Sequence, residues 1–114
     1  MLAVIFEVIP TAEGKEEYLS IATDLKTYLS DIPGFISIER FQSLTEPGKI
    51  LSLSFWRDEE AVQVWRNLEA HREAQEKGRS RLFQDYRIRV ANVIRDYSLA
   101  ERDETPDDSR RFHR

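Results

Sequence analysis

The chain has 114 residues, enough for one domain with a single core, and its 40% hydrophobic and 33% charged content is that of a folded globular protein. A net charge of −4 argues against nucleic acid as a partner, because phosphate neutralisation needs a clustered basic surface, and no stretch approaches the roughly 20 apolar residues of a membrane span. With no cysteine, disulfides, thiolate nucleophiles and Cys-based metal sites are excluded, and two histidines are too few for a His-rich metal centre.

The N-terminal run Met-Leu-Ala-Val-Ile-Phe-Glu-Val-Ile lacks a basic leader and is broken at Glu7, so a first strand is expected here and not a signal peptide. A cytoplasmic location follows as the default. Over residues 2–9, Val4, Phe6 and Val8 alternate with Ile5 and Ile9, the pattern of a strand covered on both faces. Pro10 and the segment Thr11 to Gly14 end it. From Lys15 the period lengthens: Tyr18, Ile21, Ala22, Leu25, Tyr28 and Leu29 recur at steps of three and four, one apolar stripe on a helix of about four turns. Asp31-Ile32-Pro33-Gly34 stops that helix, since proline disfavours helix in the residue before it and glycine permits the turn.

Phe35 to Gln42 and Lys49 to Trp56 read as two strands, and Thr45-Glu46-Pro47-Gly48 between them predicts a hairpin. Asp58 is placed as the N-cap of the next helix, with Glu59 and Glu60 favouring its dipole; these carboxylates are a helix start, not a metal site. Ala61, Val62, Trp65 and Leu68 give the helix its inner face. Residues 69–83 are expected to form a second, looser helix interrupted near Gly78. Tyr86 to Leu99 sets Ile88, Val90, Asn92 and Ile94 against Arg87, Arg89, Ala91, Val93 and Arg95, which predicts a long last strand. Arg79, Arg81, Arg87 and Arg89 offer either a local anionic contact or a solvated, ion-paired face. Residues 100–114 carry nine charged residues and one large apolar one, too little to offset ordering entropy, so a disordered or loosely draped tail is expected after a domain spanning 1–99.

Strand, helix, strand, strand, helical segment, strand is the order of an α+β, ferredoxin-like split β-α-β fold: a four-stranded antiparallel sheet with helices on one face. Several positions on the other face are apolar. Two sheets packed face to face would cover them, so a homodimer is expected; the alternative is a monomer with a half-wet sheet.

Both tryptophans and His71 fall close together around the start and body of one helix, which makes a small aromatic-binding pocket the sharpest functional reading. Phe55-Trp56 before the acidic helix start, the Ile-Pro-Gly-Phe approach to the second strand, Gly14, Ala61, Trp65 and His71-Arg72-x-Ala74-Gln75 resemble the antibiotic biosynthesis monooxygenase (ABM) family over roughly residues 2–98. The resemblance implies a dimeric α+β barrel. Some members of that family oxygenate phenolic or quinol compounds with O₂ and no metal, flavin or haem, and a related branch binds and degrades haem. That branch relies on a strand asparagine, a helix tryptophan and a histidine ligand. Here the matching positions hold Glu7, Trp65 and Gln75, so one of the three is kept and haem is the disfavoured cofactor. His71 lies one helical turn before the ligand position.

On this resemblance the expected activity is cofactor-independent monooxygenation of a small phenolic or quinol aromatic. The alternatives are a haem-degrading enzyme and a non-catalytic module that holds a small aromatic. A phenolate passes an electron to O₂ and a neutral phenol does not, so the protein's task is to hold and deprotonate the ring. Trp65 with Trp56 or Phe83 would stack it, and His71 would take the proton. Arg72 or Arg87 would hold the anion, and Gln75, Tyr86 or Asn92 would orient it.

Duller roles compete. Trp65 and Trp56 fit plain core packing, His71 a helix cap, and Arg72 with Gln75 a surface pair. Glu7, a lone acid in an apolar strand and a candidate lining residue, needs a partner, for which Arg87 or Arg89 is expected. No dinucleotide, phosphate-loop, zinc-protease or Ser-His-Asp motif is present.

Overall fold

The computed structural model describes residues 1–75 and 83–112, with side-chain surroundings given for 1–68 and 83–109. The elements are β1 (Leu2–Pro10), α1 (Lys15–Leu29), β2 (Phe35–Gln42), β3 (Ile50–Trp56), α2 (Glu59–Gln75), β4 (Phe83–Asn92) and a short α3 (Asp107–Phe112). The strands form one sheet in the order β2-β3-β1-β4, every neighbour antiparallel. This is the ferredoxin-like α+β arrangement, with β1 interior and β2 and β4 at the edges.

Alternation along the strands divides the sheet. On the inner face, Leu2, Val4, Phe6 and Val8 of β1 stand beside Trp56, Ser54, Ser52 and Ile50 of β3. The helices pack on this side. α1 buries Tyr18, Ala22, Leu25 and Leu29, one per turn of its stripe. Leu29 and Ile32 meet Trp56, Ala61 and Val62 in one core cluster, and Val8, Tyr18 and Ile50 form a second. The outer face carries Ala3, Ile5, Glu7, Leu51, Leu53 and Phe55, and Ile5, Leu51, Leu53 and Phe55 are half-buried there.

Two boundaries differ from the sequence reading. α2 is one uninterrupted helix from Glu59 to Gln75, where a break into a second helix reaching Phe83 was expected; Phe83 instead opens β4, and Gly78 lies outside the described residues. β4 ends at Asn92, not Leu99. The reason is its partner: Leu2 pairs with Asn92, the Val93 amide donates to the Met1 carbonyl at 3.0 Å, and β1 then runs out. Alternation marks which way side chains point and says nothing of where the neighbouring strand stops. Beyond it, residues 100–112 include a Thr105 that is buried and the single helical stretch α3.

Two corners of the fold are joined at Gly34. Its φ of +92° is the left-handed conformation that turns the chain from α1 into β2. Its carbonyl accepts the Arg57 amide at 2.7 Å, and a Cβ placed on it would stand 2.9 Å from the Ala61 Cβ in the first turn of α2. Gly34→Ala therefore meets both backbone strain and a clash. It should lower stability by more than about 1 kcal/mol in urea unfolding, and adding Ala61→Gly should restore only the part due to the clash.

Candidate active site

The inner face holds two aromatic groups. At one end Trp56 is wholly buried, meets Phe35 edge-on at 5.3 Å, and lies against Trp65 with ring centroids 6.3 Å apart and planes 28° from parallel. A buried indole N–H needs an acceptor, and Trp56 Nε1 donates to Ser54 Oγ at 2.9 Å. That bond accounts for a serine in the middle of an apolar strand. Trp56 is thus the backing, and the half-buried Trp65 is the surface it presents.

At the other end Phe6, Tyr18, Phe83 and Tyr86 interlock edge to face, with centroids 5.4 Å apart for Tyr18–Phe83 and 5.9 Å for Phe6–Phe83, Phe6–Tyr86 and Phe83–Tyr86. Between the two groups runs the inner row of β4. Tyr86, Ile88 and Val90 are 43%, 47% and 49% exposed, although the corresponding inner row of β3 is buried throughout. Among the described residues the helices cover β3 and reach β4 only at Phe83, through Tyr18. The result is an apolar strip about 14 Å long at the strand rise, with Val90 beside Val4 at the Trp65 end and Tyr86 beside Val8 at the Phe83 end. Asn92 falls in the same row, next to Leu2, as a polar group at the strip's end.

The sequence-derived candidates therefore separate. Trp65, Phe83, Tyr86 and Asn92 share the inner side of the sheet with Trp56 behind them. Glu7 does not join them: it lies on the outer face, in line with Leu51 and Arg87. There its Oε2 is 3.4 Å from Arg89 Nη1 and 3.6 Å from Lys49 Nζ, in a shallow depression of about 270 Å³ that also meets Phe41 and Leu51. Arg89 was an expected partner; Lys49 was not, because only the hairpin register brings it there. These ion pairs are part-exposed and worth little individually. Their role is to leave no carboxylate unpaired.

His71, Arg72 and Gln75 belong to the last turns of α2, and their side chains lie outside the described residues. At 100° per residue, position 72 falls on the helix line of Ala61, Trp65 and Leu68, and position 71 on that of the exposed Val64. Phe6, Tyr18, Ile88 and Val90 were not singled out as site residues from sequence. The signal was present for Ile88 and Val90, which share the alternation of Asn92; for Phe6 and Tyr18 it was masked, because core and pocket aromatics look alike. Among the described residues no cluster of His, Cys, Asp or Glu has metal-binding geometry, and no helix is long and apolar enough to cross a membrane.

A four-stranded antiparallel sheet with its helices on one face and an aromatic-flanked strip on that side defines an α+β domain of the ferredoxin-like class. The antibiotic biosynthesis monooxygenase family pattern matches residues 1–77, and the chain belongs to that family. It is 50% identical over 93 residues to a jasmonate monooxygenase of Pyricularia oryzae, a stretch covering 82% of this chain and 43% of that protein. It is 33% identical over 93 residues to the uncharacterised protein YqjZ of Bacillus subtilis, covering 82% of this chain and 79% of that one. Among solved structures, Rv0793 of Mycobacterium tuberculosis superposes with a TM-score of 0.69 at 17% identity, covering 85% of this chain and 98% of the other, a likeness of fold.

The start of α2, which carries Trp65, is set by Asp58. Its Oδ1 accepts the Ala61 amide at 3.0 Å and its Oδ2 accepts Arg57 Nε at 3.0 Å. The Ala61 bond first, and Arg57 second, hold the carboxyl below the ordinary aspartate range. A depressed folded pKa adds stability that is present above the unfolded pKa and lost as pH falls through the folded one. Asp58→Ala should therefore lower the melting temperature fully above about pH 4, with the deficit shrinking below it. Asp58→Asn, which keeps a capping oxygen without the charge, should show a smaller loss above about pH 4 that likewise shrinks toward pH 2 as the wild-type carboxylate protonates, read across a thermal series from pH 2 to 7.

Proposed function

We propose that the chain is a cofactor-independent monooxygenase that lays a small, flat, mostly apolar molecule along Tyr86, Ile88 and Val90, and that it works as a homodimer. The observation that carries this reading is the uncovered inner row of β4 set between Trp65 and the Phe83 group. Three successive inward apolar positions stand about half in water although the inner row of β3 in the same sheet is buried, which is the kind of open apolar surface a ligand covers.

The chemistry favours a phenol or quinol. Deprotonation makes the ring electron-rich enough to reduce O₂, and a quinol-type carbon supplies all the electrons itself. One oxygen atom forms the new carbonyl, and the other leaves as water with the two hydrogens lost from the substrate. In this assignment Trp65 is the stacking wall, Arg72 the group facing the anion, Gln75 and Asn92 the orienting groups, and His71, on the flank of α2 shared with the exposed Val64, the base reaching the ring from the open side. The jasmonate monooxygenase relative favours a second substrate class, an apolar carboxylate. Oxygen insertion into an unactivated C–H bond of such a molecule needs two further electrons from an external reductant. The two substrate classes thus differ in a measurable requirement.

The haem-degrading alternative fits the described residues poorly. The strand position where that branch has its asparagine is Glu7, which faces away from α2.

Oxygen uptake should be recorded with a quinol panel and with jasmonate, each with and without NADH. Uptake on a quinol without reductant is expected. Uptake on jasmonate that depends on reductant would transfer the assignment to the second class. Trp65→Ala should lower kcat/KM by about tenfold or more through lost stacking, and His71→Ala should lower kcat by about a hundredfold. Saturable ligand binding with no uptake would leave a non-catalytic binding module, and hemin titration should show no Soret shift.

A further inference from the structure

The two ends of the open strip on β4 differ in kind, and the difference selects the shape of what lies along it. At one end the aromatic contact is nearly parallel. Trp56 and Trp65 lie 28° from parallel, Trp56 is wholly buried, and a further flat ring would extend the stack on the half-buried Trp65. At the other end every contact is edge to face, with planes 60° to 75° apart. Phe6 meets both Phe83 and Tyr86, and Tyr18 closes on Phe83 from α1. Each of these four rings already has an edge or a face against a neighbour. The group is complete in itself and offers no parallel plate for a fifth ring.

Between the ends the lining is aliphatic. Ile88 stands beside Phe6 and Val90 beside Val4. Neither inner row, residues 2 to 8 on β1 or 86 to 92 on β4, contains a charged residue; their polar side-chain groups are the Asn92 amide at the Trp65 end and the Tyr86 hydroxyl at the other. An ionised group lying along these rows would give up water and find no opposite charge on them in return. A single ring with its oxygens covers about half of the roughly 14 Å from Val90 to Tyr86, and about six methylene groups fill what is left. Plate and amide at one end, with a bare aliphatic run at the other, describe a two-part molecule.

We propose that the strip binds a single-ring phenol or quinol carrying an uncharged aliphatic chain of about six carbons. The ring stacks on Trp65 beside Val90 and Asn92, the chain lies over Ile88, and the Phe83–Tyr86 group stops its end. Ile88 is then the floor of the chain subsite and Tyr86 its length gauge. The ring's identity rests on the oxygenase reading above; the chain rests on the shape of the strip.

Straight-chain alkylhydroquinones, from the unsubstituted ring to a dodecyl chain, test this through quenching of the two tryptophans. Each methylene up to about six should lower Kd by about threefold, and further carbons should bring no gain. A Kd that ignores chain length, or one that keeps falling to the dodecyl compound, would overturn the proposal. Ile88→Trp should end the gain about three carbons earlier, and Tyr86→Ala should carry it further, each variant first checked for native circular dichroism. A break point that stays in place in both variants would remove the chain from this strip. Oxygen uptake on the unsubstituted hydroquinone separates the two readings. Uptake there with a flat binding series keeps the oxygenase and removes the chain, and neither binding nor uptake with any member of the series removes both.

Discussion

The structure depends on β1 being an interior strand. Its two edges are taken by β3 and β4, so the sheet is built outward from it and its two faces have to be apolar at once. The even-numbered residues Val4, Phe6 and Val8 serve the helix-side cores, and the odd-numbered Ala3 and Ile5 serve the outer face. Glu7 is the one breach of that pattern. It is tolerated because the flanking strands bring a cation to it from either side, Lys49 from next to β3 and Arg89 from β4. Neither contact is a large stabiliser at that exposure. What they prevent is a lone charge in the middle of an apolar surface, which would resist covering that surface at all.

That organisation was largely visible in the residues. The change from two-residue to three-and-four-residue spacing at Lys15, the stop at Pro33-Gly34, the hairpin turn before Lys49 and the Asp58 cap each have a local physical cause, and each appears where expected. The misplaced boundaries are those set by something distant in sequence. β4 stops at Asn92 because β1 begins at Leu2, ninety residues earlier in the numbering. α2 runs on to Gln75, whose periodicity is too weak to separate one long helix from two short ones. Lys49 beside Glu7 is a hairpin-register effect of the same kind.

The candidate site was less legible, for a chemical reason. An aromatic that packs a core and one that walls a pocket have the same composition and spacing, so Trp56 and Trp65 looked equivalent. Geometry distinguishes them: Trp56 has its indole nitrogen satisfied by Ser54 and no exposed surface, and Trp65 stacks on it from outside. The serine is the diagnostic partner. A strand reading Ile-Leu-Ser-Leu-Ser-Phe-Trp places two hydroxyls on its inner side, which suits a strand that must accept a hydrogen bond there. The openness of Ile88 and Val90 belongs to no single residue. It arises because, among the described residues, the helices cover the inner row of β3 and reach β4 only at Phe83, through Tyr18.

The junction at Gly34 has a mechanical consequence. It clamps the first turn of α2 to the α1–β2 corner through the Arg57 amide and the close approach to Ala61, so that end of the helix is a fulcrum. α2 is 17 residues long, about 25 Å at the helical rise, and its other end has no comparable anchor among the described residues. Trp65 lies only about 6 Å along the axis from Ala61 and Gln75 about 21 Å, so a tilt of about 10° about the clamp would shift the Trp65 backbone by only about 1 Å against about 4 Å at the far end. Because Trp65 stacks on Trp56 within that short arm, the clamp also fixes the position of the aromatic wall at its end of the strip.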